Sequence, residues 1–223
     1  MTNTGRYIRA VLWDMDGTLM DSQPLWDEFF RRCCQERGGT VTPEQVAGIA
    51  GASIARTCEL IAETGATASP EDPATAEVFA RISAQVEAAV RADPPILPGA
   101  RSITSTLSEI GLAQVIVTQS PRPIVEAVAH ALGDVFVDLV TGDDGVGAKP
   151  DPRPYATAVE RLDLSPEDCV VVEDSPTGAA SARGNGIHVV QIGTTKHFPA
   201  DPGLVVVPDL ASITPHLLLW ADR

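Results

Sequence analysis

Lysine is almost missing from this chain: only Lys149 and Lys196 are present, and neither lies between residues 22 and 95. Basic charge as a whole is scarce, with 16 Lys and Arg against 30 Asp and Glu and a formal net charge of -14. That balance excludes a nucleic-acid backbone or an anionic membrane as the partner, since both demand basic surface. It leaves room for a phosphorylated small molecule, because a metal ion and a single lysine can set the local field. The four cysteines (Cys33, Cys34, Cys58 and Cys169) make no Cys-x-x-Cys pair and no histidine-spaced zinc pattern. Cys33 and Cys34 share a helical apolar stripe with Leu25, Trp26, Phe29 and Phe30, and so read as buried thiols. There is no apolar run of bilayer length, no basic-then-apolar leader, no internal repeat and no low-complexity tract. The chain is expected to be cytoplasmic and monomeric.

The 223 residues suit one large domain or a domain carrying an insert. Short apolar, β-branched runs recur at Ile8–Trp13, Val115–Thr118, Val135–Val140, Cys169–Glu173, His188–Ile192 and Leu204–Val207. Most are separated by helical patterns, which predicts a doubly wound α/β core with a parallel sheet covered on both faces. One stretch breaks the alternation. Between Ser22 and about Asp93 the pattern is helical throughout: a first helix near Pro24–Arg37 and a second from Pro43 with Thr42 as its cap. A third covers Ser53–Glu63, and a fourth carries Val78, Phe79, Ile82, Val86 and Val90 before Pro94-Pro95. The predicted division is therefore a core of residues 1–21 and 96–223 with a helical insert of residues 22–95.

What the chain does have, at the end of its first strand, is Asp14-Met15-Asp16-Gly17-Thr18. In extended backbone, residues two apart point to the same side. Two carboxylates so placed repel unless a divalent cation, a shared proton, or both hold them. A polar turn is the bland alternative. A calcium loop fails, because its fifth, sixth and twelfth positions would be Thr18, Leu19 and Leu25.

Three other segments follow strands at the edge where open α/β sheets place ligands. Thr118-Gln119-Ser120-Pro121 offers a hydroxyl at a strand tip, with Ser120 and Pro121 read as cap and first residue of the next helix. Lys149 stands in a rigid Gly147-Ala148-Lys149-Pro150 setting rather than on a polar helix face, whereas Lys196 reads as a solvated loop charge. Glu173-Asp174 closes an apolar strand; capping by Asp174 or Ser175 explains one acid at most, and burying the other without a cation is costly. Asp14, Asp16, Glu173 and Asp174 together supply hard oxygen ligands of the kind magnesium takes.

In this order and number, Asp14-Met15-Asp16-Gly17-Thr18, Thr118, Lys149 and Glu173-Asp174 resemble the four motifs of the haloacid dehalogenase superfamily. The chain looks like a member of its β-phosphoglucomutase-like, phosphatase-rich branch. The resemblance spans nearly the whole chain and implies a Rossmann-like core under a small helical cap. It further implies a magnesium-dependent phosphatase acting on a small phosphorylated metabolite, with Asp14 as nucleophile and Asp16 as proton carrier. The metal would be held by Asp14, the backbone carbonyl of Asp16, Asp174 and, directly or through a neighbour, Glu173. Thr118, the N–H of Gln119 and Lys149 would hold the phosphoryl oxygens.

Departures from related patterns narrow the implied activity. Dehalogenases of this fold lack the second aspartate, which is present here as Asp16. Phosphonate-cleaving relatives need a cap lysine, and the insert has none. β-Phosphoglucomutases carry a cap histidine, a cap lysine and an arginine; the corresponding places hold Trp26, no lysine, and Ile54. Hydrolysis is therefore favoured over phosphosugar transfer. Asp21-Ser22-Gln23-Pro24-Leu25-Trp26 is similar to sugar-phosphate and hexitol-phosphate phosphatases, with Arg56 and Arg122 as further candidates to reach substrate. From a different class, receiver domains of signalling proteins also join an aspartate, a lysine and an acidic pair, but in a different order and a shorter chain. A catalytically silent phospho-ligand-binding protein is the remaining alternative.

Overall fold

The computed structural model describes residues 7–193 and 204–219, so Lys196 lies outside the described residues. Six strands form one sheet: β1 (Ala10–Trp13), β2 (Ala113–Val117), β3 (Asp138–Val140), β4 (Cys169–Glu173), β5 (His188–Ile192) and β6 (Leu204–Val207). All neighbours run parallel in the order β3-β2-β1-β4-β5-β6. β1 is thus flanked by β2 on one side and β4 on the other, the point where the winding of such a sheet reverses.

The strands are apolar on both faces because both faces are covered. Val11, Trp13, Ile116, Val170 and Val172 face one core, with Ile103 and Leu107 of α5 (Ala100–Glu109) and Ile124, Val125 and Val128 of α6 (Arg122–Ala131). Ala10, Leu12, Val115, Val117 and Val171 face the other, against Tyr155 and Ala158 of α7 (Arg153–Arg161) and Ala179 and Ala182 of α8 (Pro176–Arg183). A buried polar chain locks β1 to β2: the indole Nε1 of Trp13 donates to Gln114 Oε1 at 3.1 Å, and Gln114 Nε2 donates to the Thr104 carbonyl at 2.8 Å. A short α9 (Pro215–Leu219) completes the chain's described part.

Between β1 and α5 stand four helices and no strand: α1 (Gln23–Glu36), α2 (Pro43–Ala47), α3 (Ile54–Glu63) and α4 (Pro73–Ala92). Each starts with Ser, Thr or Asp at its N-cap, and in α2 Thr42 and Gln45 form a reciprocal capping box. Their apolar stripes meet one another: Phe30, Cys33 and Cys34 of α1 pack in one cluster with Leu60 and Ile61 of α3 and Ile82 and Val86 of α4. The chain leaves and re-enters the core along adjacent paths. Asp21 N–H donates to the Pro95 carbonyl and Leu97 N–H to the Leu19 carbonyl, both at 2.9 Å, with Met20 bridging Ile96.

Strand ends differ in detail from the periodicity. β2 begins two residues early, at Ala113, because it registers with Ala10 of β1. The run at 135–140 yields only Asp138–Val140, since Val137 is exposed and bonds through its N–H to the Gln114 carbonyl before the ladder starts. Among the described residues no helix is long and apolar enough to cross a membrane.

Candidate active site

β1, β2 and β4 end at the same sheet edge, and their ends carry Asp14, Thr118 and Glu173-Asp174. Asp14 continues the ladder, its N–H donating to the Val172 carbonyl at 3.0 Å. Beyond it the strand stops. The carbonyl of Met15 accepts from the N–H groups of Thr18, Leu19 and Met20, and Gly17 takes φ +91°. Asp16 stands at the start of this turn in an isolated bridge to Met20, and it lines, with Asp14, the cavity described below. A Cβ on Gly17 would also lie 2.6 Å from an Asp174 carboxylate oxygen.

Asp14, Glu173 and Asp174 each offer a carboxylate oxygen within 4.8 Å of the others. Lys149 is buried among them. Its Nζ lies 2.6 Å from Asp14 Oδ1 and 2.7 Å from Glu173 Oε1, and 4.9 Å from the centre of the Tyr155 ring. Burial alone would push the ammonium's pKa down, but Asp14 and Glu173 more than offset it and hold it well above the ordinary lysine range. Asp14 is pushed the other way: burial and the nearby Glu173 raise its carboxyl well above the usual range, with Lys149 opposing. Glu173 is fully buried and bonded on both oxygens. Oε1 accepts from Lys149 and, at 3.0 Å, from the Tyr155 hydroxyl; Oε2 accepts from the N–H and hydroxyl of Ser175 at 3.0 and 2.9 Å. Ser175 also caps α8 by accepting from Gly178 N–H. α8 comes so close that a Cβ on Gly178 would fall 1.5 Å from Glu173 Oε1.

This donor set fits a hard divalent cation. Asp14 Oδ2 is buried and has no hydrogen-bond partner, an expensive state that a cation or a proton relieves. Asp14 and Asp174 both face the cavity described below, while Glu173 has its bonds already filled. Asp16 is held differently. Oδ2 accepts from the hydroxyls of Thr118 (2.9 Å) and Ser120 (2.7 Å), and Oδ1 from that of Ser22 (2.5 Å). Two helix starts give up a cap hydroxyl to do this. Ser22 stands at the N-cap of α1 without capping it, and Ser120 is not the cap of α6, a place taken by Pro121.

Of the remaining sequence candidates, Gln119 reaches across to the helical insert, its Nε2 donating to the Gly51 carbonyl at 2.6 Å. Arg56 and Arg122 do not line the cavity: Arg56 pairs with Glu59 and Glu63 on its own helix, and Arg122 with Asp144. Tyr155, Ser22 and Ser120 are the site residues that pattern did not single out for this role. Tyr155 sits in an apolar helical stripe and reads as core. The serines read as turn residues. A cavity of about 460 Å³ lies over the sheet edge, walled by Asp14, Asp16, Thr118, Lys149 and Asp174 below and by residues of α1, α3 and α4 above.

A carboxylate at a strand tip, an acidic cluster with a buried lysine and a helical roof make a phosphoryl-transfer type of site. The family model for haloacid dehalogenase-like hydrolases matches residues 8–186, and the chain belongs to this family. Among its relatives, hexitol phosphatase A of Escherichia coli (strain K12) is 31% identical over 195 residues, covering 86% of each chain. Validoxylamine A 7'-phosphate phosphatase of Streptomyces hygroscopicus subsp. limoneus is 31% identical over 229 residues, covering 94% of this chain and 98% of that one. The fold is that of a β-phosphoglucomutase from Clostridium difficile, with TM-score 0.78, 17% identity and 94% of each chain covered.

Proposed function

We propose that this chain is a magnesium-dependent phosphatase that hydrolyses small phosphomonoesters, sugar or polyol phosphates, through an aspartyl-phosphate on Asp14. The observation that carries the reading is the asymmetry of Asp14: Oδ1 is pinned by Lys149 while Oδ2 has no partner. The names of the two phosphatase relatives support the reaction and the substrate class.

The two aspartates divide the labour by the nature of their partners. Lysine only donates, so the Lys149 contact favours the ionised Asp14 that attack on phosphorus needs. Hydroxyls donate or accept. Asp16, held by Ser22, Thr118 and Ser120, can therefore gain or lose a proton without stranding a buried donor. It protonates the leaving alkoxide and then takes a proton from the water that hydrolyses the intermediate. Asp14, Asp174 and the Asp16 carbonyl would hold magnesium, which when bound would supply the charge that lets a phosphate dianion approach a carboxylate. Glu173 orients Lys149 rather than meeting the ion, because its four bonds are already made. The N–H of Gln119, Lys149 and, once its hydroxyl turns away from Asp16, Thr118 receive the phosphoryl oxygens.

The roof is a cap domain of residues 22–95 on a core of 1–21 and 96–223. The paired crossing of residues 19–21 and 95–97 supports that division. A mutase would also have to retain a bisphosphate, and Lys149 is the one cation lining the cavity among the described residues. In the test, purified protein with Mg²⁺ releases inorganic phosphate from a phosphomonoester panel. Chelator abolishes the release, and Asp14→Asn lowers it by at least about a thousandfold. Absence of release across the panel sinks the hydrolase reading; transfer product without free phosphate establishes the mutase instead.

A further inference from the structure

The half of the cavity facing the carboxylates is built almost without charge. Trp26 of α1 and Phe79 of α4 stack with ring centroids 6.5 Å apart and planes 22° apart, and both line the cavity. Gln23, Ile54 and Thr57 complete the wall that the helices contribute, and no Lys, Arg or His of residues 22–95 faces the cavity. Arg56, close by in sequence, has its guanidinium taken by Glu59 and Glu63. Lys149 is committed to Asp14 and Glu173 at the opposite side, where Asp16 and Asp174 also lie, and the other charged lining residue, Asp21, is acidic and exposed.

A substrate delivers one phosphoryl group to the carboxylate end, so whatever it carries at the other end meets this wall. A carboxylate or second phosphate there loses water against two aromatic rings and finds no counter-charge, an arrangement that disfavours binding. The acidic field of the cavity adds to the penalty. A neutral chain of hydroxyl-bearing carbons is spared both. Its C–H faces pack on the electron-rich rings, and its hydroxyls have Gln23 and Thr57 as polar neighbours. We infer that the wall of Trp26 and Phe79 selects phosphate esters of neutral polyhydroxy alcohols and rejects substrates bearing a second anionic group, with Trp26 as the specificity-determining residue. The inference rests on the phosphatase reading above and sharpens its substrate class.

The test uses three esters with the enzyme and Mg²⁺: sorbitol 6-phosphate, 6-phosphogluconate, which carries a carboxylate at the far end of a six-carbon chain, and 2-hydroxyethyl phosphate, which lacks four of the six carbons. The expected kcat/KM for sorbitol 6-phosphate exceeds that for 6-phosphogluconate by at least about tenfold, and the gap narrows as added salt screens the field. Trp26→Ala raises KM for sorbitol 6-phosphate by about tenfold and for 2-hydroxyethyl phosphate by much less, while Trp26→Phe restores most of the loss. A wild-type enzyme that hydrolyses only the hexitol ester supports the inference equally. It is overturned, with the phosphatase reading intact, if 6-phosphogluconate is hydrolysed as well as sorbitol 6-phosphate. An equal loss on the long and short esters in Trp26→Ala, or turnover of the short ester alone, also overturns it. No phosphate from any of the three counts against the phosphatase reading itself.

Discussion

Removing the Tyr155 hydroxyl takes one of four donors from the buried carboxylate of Glu173 and leaves the ring under the Lys149 ammonium. Tyr155→Phe is therefore expected to lower stability by about 1–2 kcal/mol in urea unfolding, the cost of an unmet buried acceptor. It should also raise the Mg²⁺ concentration for half-maximal activity, because Glu173 and Lys149 position Asp14. A purely structural tyrosine would lower stability and leave that metal dependence unmoved. At this scale the charged half of the site was legible in the sequence: Asp14, Lys149, Glu173 and Asp174 are groups that a strand end or a rigid turn cannot bury without each other. The neutral half was not. A tyrosine in an apolar helical stripe and two serines at helix starts each have an ordinary role nearby, and only their position in space reveals that they serve Glu173 and Asp16.

Among elements, the turn after β3 ties two helices to the sheet through one acid. Asp144 accepts from Arg122 at the start of α6 at 2.7 Å, from Arg161 at the end of α7 at 3.2 Å, and from Thr141 N–H at 3.3 Å. Partial burial pulls its pKa up, but the Arg122 and Thr141 bonds prevail and hold it below the ordinary 3.8. A depressed folded-state pKa stabilises the protein above the unfolded value, and this stabilisation fades as pH falls through the folded one. Asp144→Asn should thus lower the melting temperature at neutral pH by the equivalent of less than about 1 kcal/mol, since the arginines are partly exposed and screened. Thermal scans of the two proteins should converge as pH drops below 3.8. The parallel core and the helical insert follow from the sequence because continuous apolar runs and period-3.6 stripes differ in kind. The strand order and the starts of β2 and β3 do not, because pairing register depends on neighbours distant in the chain.

For the whole molecule, the proposed metal site joins the ends of β1 and β4, neighbours at the centre of the sheet, so occupancy should register as global stability. A cation that binds only the folded chain adds about 2.7 kcal/mol at a hundredfold excess over its Kd, or on the order of 5–10 °C in melting temperature for a chain of this size. Calorimetry with and without Mg²⁺ should show this rise, and Asp174→Asn should abolish most of it.

The same arrangement bears on the order in which the molecule comes into being. Asp14 precedes its lysine partner by 135 positions, and Val172, whose carbonyl bonds its N–H, lies later still. Among the described strands β1 precedes all others, and β4, one of its two neighbours in the sheet, follows only after β2 and β3. Until β4 docks, a growing polypeptide carries an unmatched acid and an open sheet edge, the kind of non-local closure that slows folding and exposes intermediates. A chain that stops short of β4 thus leaves Asp14 without its Val172 partner and Lys149 without Glu173.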